Sequence, residues 1–209
     1  MYFNFSVNST THLLISSLVK LLCMNDILRT SPTQKVFKME LVEQILLKSQ
    51  IYIAGIPHHI AEIELYYYSS EHPDTFIHKH ELQRETGKWY FHRSGKSYRG
   101  GTFKGLNITI GDGTNYGSLL IRGLICLSSG EVIKGPCRCV DYILRLCGYS
   151  CITELVEVGL RGDLDIRNEE ILRLVATSEK YPIRIQKKKR LDAYKPLFID
   201  REYNFSVYR

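Results

Sequence analysis

From Ile51 onward, apolar residues stop recurring at helical intervals and begin to alternate with polar ones. This change of period constrains the fold more than any other feature of the 209 residues. Ile51-Tyr52-Ile53-Ala54, a turn at Gly55-Ile56-Pro57, and a run over 60–68 in which Glu62 and Glu64 interrupt apolar residues together read as a β-hairpin. Three further strands are expected over 88–92, 106–110 and 118–127, joined by the turns Ser94-Gly95-Lys96 and Gly111-Asp112-Gly113. Period-two alternation gives each strand one dry and one wet face, as an antiparallel sheet with a single covered face requires.

Helical spacing brackets this sheet. Leu13, Leu14, Leu18, Leu21 and Leu22 predict a first helix, and Leu41, Val42, Ile45 and Leu46 a second over 38–48. The polar break Ser31-Pro32-Thr33 between them sets the expected organisation: an N-terminal helical arm over 1–34 and one domain over 35–209. Gly135-Pro136 opens a helix running to Cys147, and Asn168 reads as the cap of another over 169–176. Late strands are expected over 183–186 and 197–199. Strands in the middle and helices at the ends make the class mixed α+β.

Composition narrows the function classes. With 24% charged and 44% hydrophobic residues the chain is neither disordered nor collagen-like. The apolar stretch over 12–24 is interrupted by Lys20 and falls short of the roughly 20 residues a membrane span needs, so no membrane is expected. An intracellular protein is expected, in nucleus or cytoplasm. The formal charge of +6 favours polyanionic partners. Most of the excess lies over 72–107, where seven basic residues meet three acidic ones, interleaved with Trp89, Tyr90, Phe91 and Tyr98. Bases among aromatics suit a nucleic acid, whose backbone is neutralised while a base is stacked; a solvated loop face is the alternative. The six cysteines read as reduced. Cys139 and Cys147 fall in helical register with Val140, Ile143 and Leu144, which favours core packing over a zinc cluster. His72, His78, His80 and His92 have no carboxylate or thiol at a ligand spacing, so no metal is expected.

In order, the chain presents Glu62-Ile63-Glu64-Leu65-Tyr66, His78, Trp89-Tyr90-Phe91-His92, Gly105-Leu106-Asn107-Ile108-Thr109, Gly117 to Arg122, and Gly135-Pro136. In order and local spacing this series, with Tyr194-Lys195-Pro196-Leu197 near the end, resembles the alkyladenine (3-methyladenine) DNA glycosylase family over roughly residues 38–199. The resemblance implies one mixed domain with a curved antiparallel sheet flanked by helices, the glycosylase-like catalytic domain. It implies excision of alkylated or otherwise damaged purines from double-stranded DNA by base flipping, as in base excision repair. A monomer is expected. By the same resemblance Glu64 activates water, and Arg122 helps to hold that water and a phosphate. Tyr66, His78, His92 and Asn107 form the base pocket, Asn107 limiting which purines fit. Arg93, Lys96, Tyr98, Arg99 and Lys104 contact DNA. Two departures stand out: His92 replaces a tyrosine of the family, and the hairpin after it is longer, so Tyr98 or Lys96 inherits the wedge that fills the gap left by the flipped nucleotide.

The chemistry suits these residue types. Cleavage of an N-glycosidic bond builds positive charge on the sugar, which a carboxylate can stabilise while it takes a proton from water. Turning the nucleotide out of the duplex costs a few kcal/mol, which aromatic walls recover by stacking. No lysine occupies a Schiff-base position, so simple hydrolysis without strand cleavage and without a cofactor is expected. The alternatives are an N-glycosidase acting on RNA or nucleosides, and a non-catalytic nucleic-acid binder.

Overall fold

The computed structural model describes residues 33–168, 171–177, 185–189 and 202–207. The expected arm over 1–34 and the expected strand over 197–199 fall almost wholly or wholly outside them.

Helix α1 (Thr33–Lys48) runs directly into strand β1 (Ser49–Ile53), which turns through Ala54 and Gly55 into the 13-residue β2 (Ile56–Tyr68). Both turn residues have positive φ, 48° and 80°, the conformation a two-residue hairpin with right-handed twist demands. Then come β3 (Thr86–Phe91), the small hairpin β4 (Arg93–Ser94) and β5 (Ser97–Tyr98), β6 (Leu106–Ile110), β7 (Tyr116–Cys126) and β8 (Val132–Lys134). Helix α2 (Pro136–Cys147) starts on a proline and stops at Gly148 in the left-handed region, as the sequence reading placed it. A short α3 (Ile152–Glu154) passes into a π turn (Leu155–Gly159), and β9 (Leu172–Ala176), β10 (Gln186–Lys188) and β11 (Asn204–Ser206) complete the described chain.

Among the described residues the result is a mixed α+β fold on an open nine-stranded sheet, ordered β10-β11-β2-β7-β6-β3, with β1 and β9 extending from the start of β2 and β8 from the end of β7. Every pairing is antiparallel. Among the described residues, no helix is long and apolar enough to cross a membrane.

Alternation sorts the two faces. Ile63 and Leu65 on β2, Leu119 and Ile121 on β7, Ile108 on β6, and Trp89 and Phe91 on β3 join Leu41, Val42, Ile45 and Leu46 of α1 and Cys139, Val140 and Ile143 of α2 in one core. Each such side chain contributes about 1.5–3 kcal/mol when fully buried. Trp89 and Phe91 are therefore core residues, not base-stacking ones. Glu62, Glu64 and Tyr66 point to the opposite face.

One expected helix is a strand. Residues 172–176 pair with β1 from Ser49↔Ala176 to Ile53↔Leu172, burying Leu172 and Leu174. The run of Leu172, Leu174 and Val175 fits either period. What decides is that the open edge of β1 carries backbone groups needing partners, and a strand laid along that edge satisfies them where a helix, bonded within itself, cannot.

Candidate functional site

The register assembles the site. Asn204 on β11 lies opposite Glu64 on β2, Glu64 opposite Leu120 on β7, Leu120 opposite Asn107 on β6, and Asn107 opposite Tyr90 on β3. Five residues distant in sequence thus form one row across the face turned away from α1 and α2. In the neighbouring row Tyr66 faces Ser118, which faces Thr109.

Glu64 is 4% exposed. Its Oε1 accepts the Tyr66 hydroxyl proton at 2.8 Å, and Arg122 Nη1 stands 2.9 Å from its Oε2 as an ion pair. Arg122 Nε also donates to Glu62 Oε1 at 3.2 Å, and Asn204 Nδ2 donates to the same oxygen at 2.8 Å. Burial works to lower the Arg122 pKa, but the Coulombic field of Glu64, then of Tyr66 and Glu62, outweighs it and raises the value. The cation of Arg122 is thus committed to the two carboxylates. These partners fix the orientation of the Glu64 carboxylate.

Beside this cluster is a cavity of about 40 Å³ lined by Tyr66, Phe76, Ile77, His78, Gln83, His92 and Asn107. Phe76 stacks on Tyr66 with ring centroids 6.4 Å apart and planes 19° apart. His78 lies across the space, 4.5 Å from the His92 ring, with Nδ1 3.0 Å from the Tyr90 hydroxyl. The volume admits a few waters. A base enters only if walls part, since small-molecule sites begin at roughly 300 Å³; His78, which is solvent-exposed, is the wall at the mouth.

A buried amide relay holds the far wall. Gln83 Oε1 accepts the His80 backbone N–H at 3.1 Å, and its Nε2 donates to Ser118 Oγ at 2.9 Å. Asn107 Nδ2 donates to the same oxygen at 3.0 Å, leaving Asn107 Oδ1 3.0 Å from His92 Nε2. Burial pushes the His92 pKa below 6.5, opposed by hydrogen bonds to Phe103 and Asn107. Burial likewise lowers His80 and raises Tyr90.

Two glycines make these approaches possible. A Cβ on Gly111 would come within 2.3 Å of the Gln83 carbonyl oxygen, so only glycine lets the 3-10 turn Glu81–Arg84 seat Gln83 against the sheet. A Cβ on Gly105 would stand 2.4 Å from His92 Cε1. The loop before the turn is tied down by Asp74, whose two oxygens accept the backbone N–H groups of Tyr67 and Phe76 at 3.2 and 3.0 Å. Gln83 and Asn204 lay outside the sequence reading, and Ser118 entered it only as part of the run Gly117 to Arg122, with no role of its own. A Gln in a polar loop and an Asn in a late, weakly patterned segment carry no signal until topology brings them here.

No family model matches the chain. An uncharacterized protein of Acanthamoeba polyphaga mimivirus is 31% identical over 130 residues, a match covering 56% of this chain and 60% of that protein. The chain thus spans less than two thirds of that relative's length.

The expected DNA-contacting residues fare unevenly. Tyr98 is not an exposed hairpin tip: its ring packs edge-on against Phe91 with centroids 6.2 Å apart, and Arg93 Nη2 donates to its hydroxyl. The Arg93 guanidinium also lies 4.1 Å from the Tyr98 ring centre, so the pair braces the hairpin. Lys104 pairs with Asp141, and Lys88, outside the expected rim, pairs with Asp165. Lys96 is exposed at the tip, and half-buried Arg99 donates through Nε to the Arg93 carbonyl. The exposed aromatic near the cavity is Phe103, 68% accessible, on the 3-10 turn Gly101–Phe103 whose backbone hydrogen-bonds the His92 ring. Among the described residues no group of three His, Cys, Asp or Glu side chains could hold a metal ion. The described cysteines are free, with Cys139 buried in the core.

Proposed function

We propose that the chain is a monofunctional DNA glycosylase that hydrolyses the N-glycosidic bond of a damaged purine in double-stranded DNA, as the resemblance to the alkyladenine glycosylase family implies. The observation that carries this reading is the placement of Glu64. It is buried and oriented by Tyr66 and Arg122, and Tyr66, its hydrogen-bond partner, also lines the adjacent cavity together with His78, His92 and Asn107. In that role Glu64 takes a proton from water as the base departs and its charge stabilises the cationic sugar. Tyr66 and His78 supply the stacking faces, while Asn107, held by Ser118, presents a fixed polar group to the base edge. Lys96 and Arg99 meet the backbone, and Phe103 is placed to fill the gap a flipped nucleotide leaves.

The test is a panel of duplexes each carrying one damaged purine, incubated with enzyme and then alkali to reveal abasic sites. The expected result is strand breakage at one or more lesions, with Glu64→Gln lowering the rate at least about a hundredfold while duplex affinity is kept. Release of a base from RNA or free nucleosides alone would move the substrate. Full activity in Glu64→Gln would end the assignment of Glu64.

A further inference from the structure

Across from Glu64, on a strand the hydrophobic pattern does not announce, stands Asn204. It is 4% exposed, and its Nδ2 is spent on Glu62 Oε1 at 2.8 Å. Its other polar atom, Oδ1, is fully buried, and no donor among the described residues reaches it. A buried acceptor without a partner costs about 1–3 kcal/mol, so its retention in a row with two carboxylates calls for a reason. Ser206 Oγ, two residues along β11 and opposite Glu62, is buried in the same condition. Both belong to the face carrying Glu62, Glu64 and Arg122, so the polar row of the sheet continues past Glu64 onto β11.

A small donor of two protons fits this arrangement. A buried water needs two to four polar partners, and Glu64 with Asn204 Oδ1 offers two acceptors on adjacent strands. A water giving one proton to each keeps its lone pairs pointed away from both, available to a sugar brought over this face of the sheet. We infer that Asn204 is the second holder of the attacking water: its Oδ1 accepts one water proton while Glu64 accepts the other, aiming the oxygen lone pair at the anomeric carbon. In the step, the water oxygen bonds to that carbon and the N-glycosidic bond breaks with its electron pair going to the base nitrogen. The proton facing Glu64 passes to the carboxylate; the proton facing Asn204 stays on the new hydroxyl. Glu62 and Arg122 serve the same water indirectly, because the Asn204 Nδ2 bond to Glu62 fixes which end of the amide faces it.

The inference rests on the glycosylase reading, and the experiment separates the two. Excision is followed under single turnover with added methanol, which competes with water as nucleophile and leaves a methyl glycoside instead of an abasic sugar. Asn204→Ala is expected to bind the lesion duplex as the wild type does, to lose roughly tenfold to a hundredfold in rate, the scale for a misplaced reactant, and to raise the methyl glycoside fraction. Asn204→Ser, which keeps an oxygen on the strand, is expected to fall between, and it decides the matter if Asn204→Ala does not fold. A normal rate in both variants overturns the inference, as does a lower rate with an unchanged product ratio, which marks a purely structural residue. In either case wild-type excision still supports the glycosylase reading. A wild-type enzyme that releases no base from any duplex overturns both.

Discussion

Phe103→Ala and Tyr98→Ala separate two aromatics only a few residues apart. Phe103 is 68% exposed, so truncating it should change stability by no more than about 0.5 kcal/mol, the usual range for surface substitutions. Tyr98 packs on Phe91 and carries the Arg93 guanidinium 4.1 Å from its ring centre. Losing an aromatic pair at about 0.5–1.5 kcal/mol and a cation–π contact at about 0.5–1 kcal/mol amounts to roughly 2 kcal/mol. On DNA the order reverses. If Phe103 stacks in the gap of a flipped nucleotide, its loss removes about 1–3 kcal/mol, between roughly fivefold and 150-fold in excision from duplex. A lesion in single-stranded DNA, with no stack to hold open, should be excised by Phe103→Ala almost as by wild type. The assay is single-turnover excision on both substrates, alongside thermal unfolding of each variant. Equal losses on duplex and single strand, or none, refute the wedge assignment. A duplex-specific loss in Tyr98→Ala at unchanged stability would return the role to Tyr98.

Arg122→Ala should destabilise the fold by about 3 kcal/mol, read as a lower denaturant midpoint, because it leaves buried Glu64 and half-buried Glu62 side by side without their cation; an unchanged midpoint would mean that the pair is not held as described. His58, His80 and His92 are kept below 6.5 by burial, so the unfolded chain takes up protons first as pH falls. Stability should be whole above about pH 6.5 and decline below it, levelling off once the folded histidines also protonate, and His92→Gln should flatten the decline when unfolding midpoints are compared across pH. Gly111→Ala should unseat the Gln83 turn, because its Cβ would meet backbone at 2.3 Å; a crystal structure or hydrogen exchange showing the turn unmoved would contradict the packing.

Much of the fold was legible because local chemistry and tertiary packing agree there. Pro136 and Gly148 bracket a helix in sequence as they do in space. The alternation that put Glu62, Glu64 and Tyr66 on one side of a strand survives because the other side is needed by α1 and α2 for the core. Where two periods fitted equally well, as over Leu172 to Ala176, sequence could not choose, since the deciding factor is the unpaired edge of β1.

The candidate site divides along the same line. Glu64, Tyr66 and Asn107 are singled out by the family resemblance, and alternation within each strand, a property of its own neighbours in the chain, is what puts them on the face they occupy. Tyr98 was misjudged because glycine and basic neighbours suggest an exposed tip, whereas burial is decided by Phe91 and Arg93 on the adjoining strands. Gln83 matters only because Gly111 lets a loop close onto the sheet, and Asn204 only because β11 pairs with β2 at Glu64. Alternation along a strand is a property of consecutive residues and can be read from them. The register between strands is settled by which backbone hydrogen bonds and buried surfaces can be satisfied together, and that choice belongs to the tertiary structure alone.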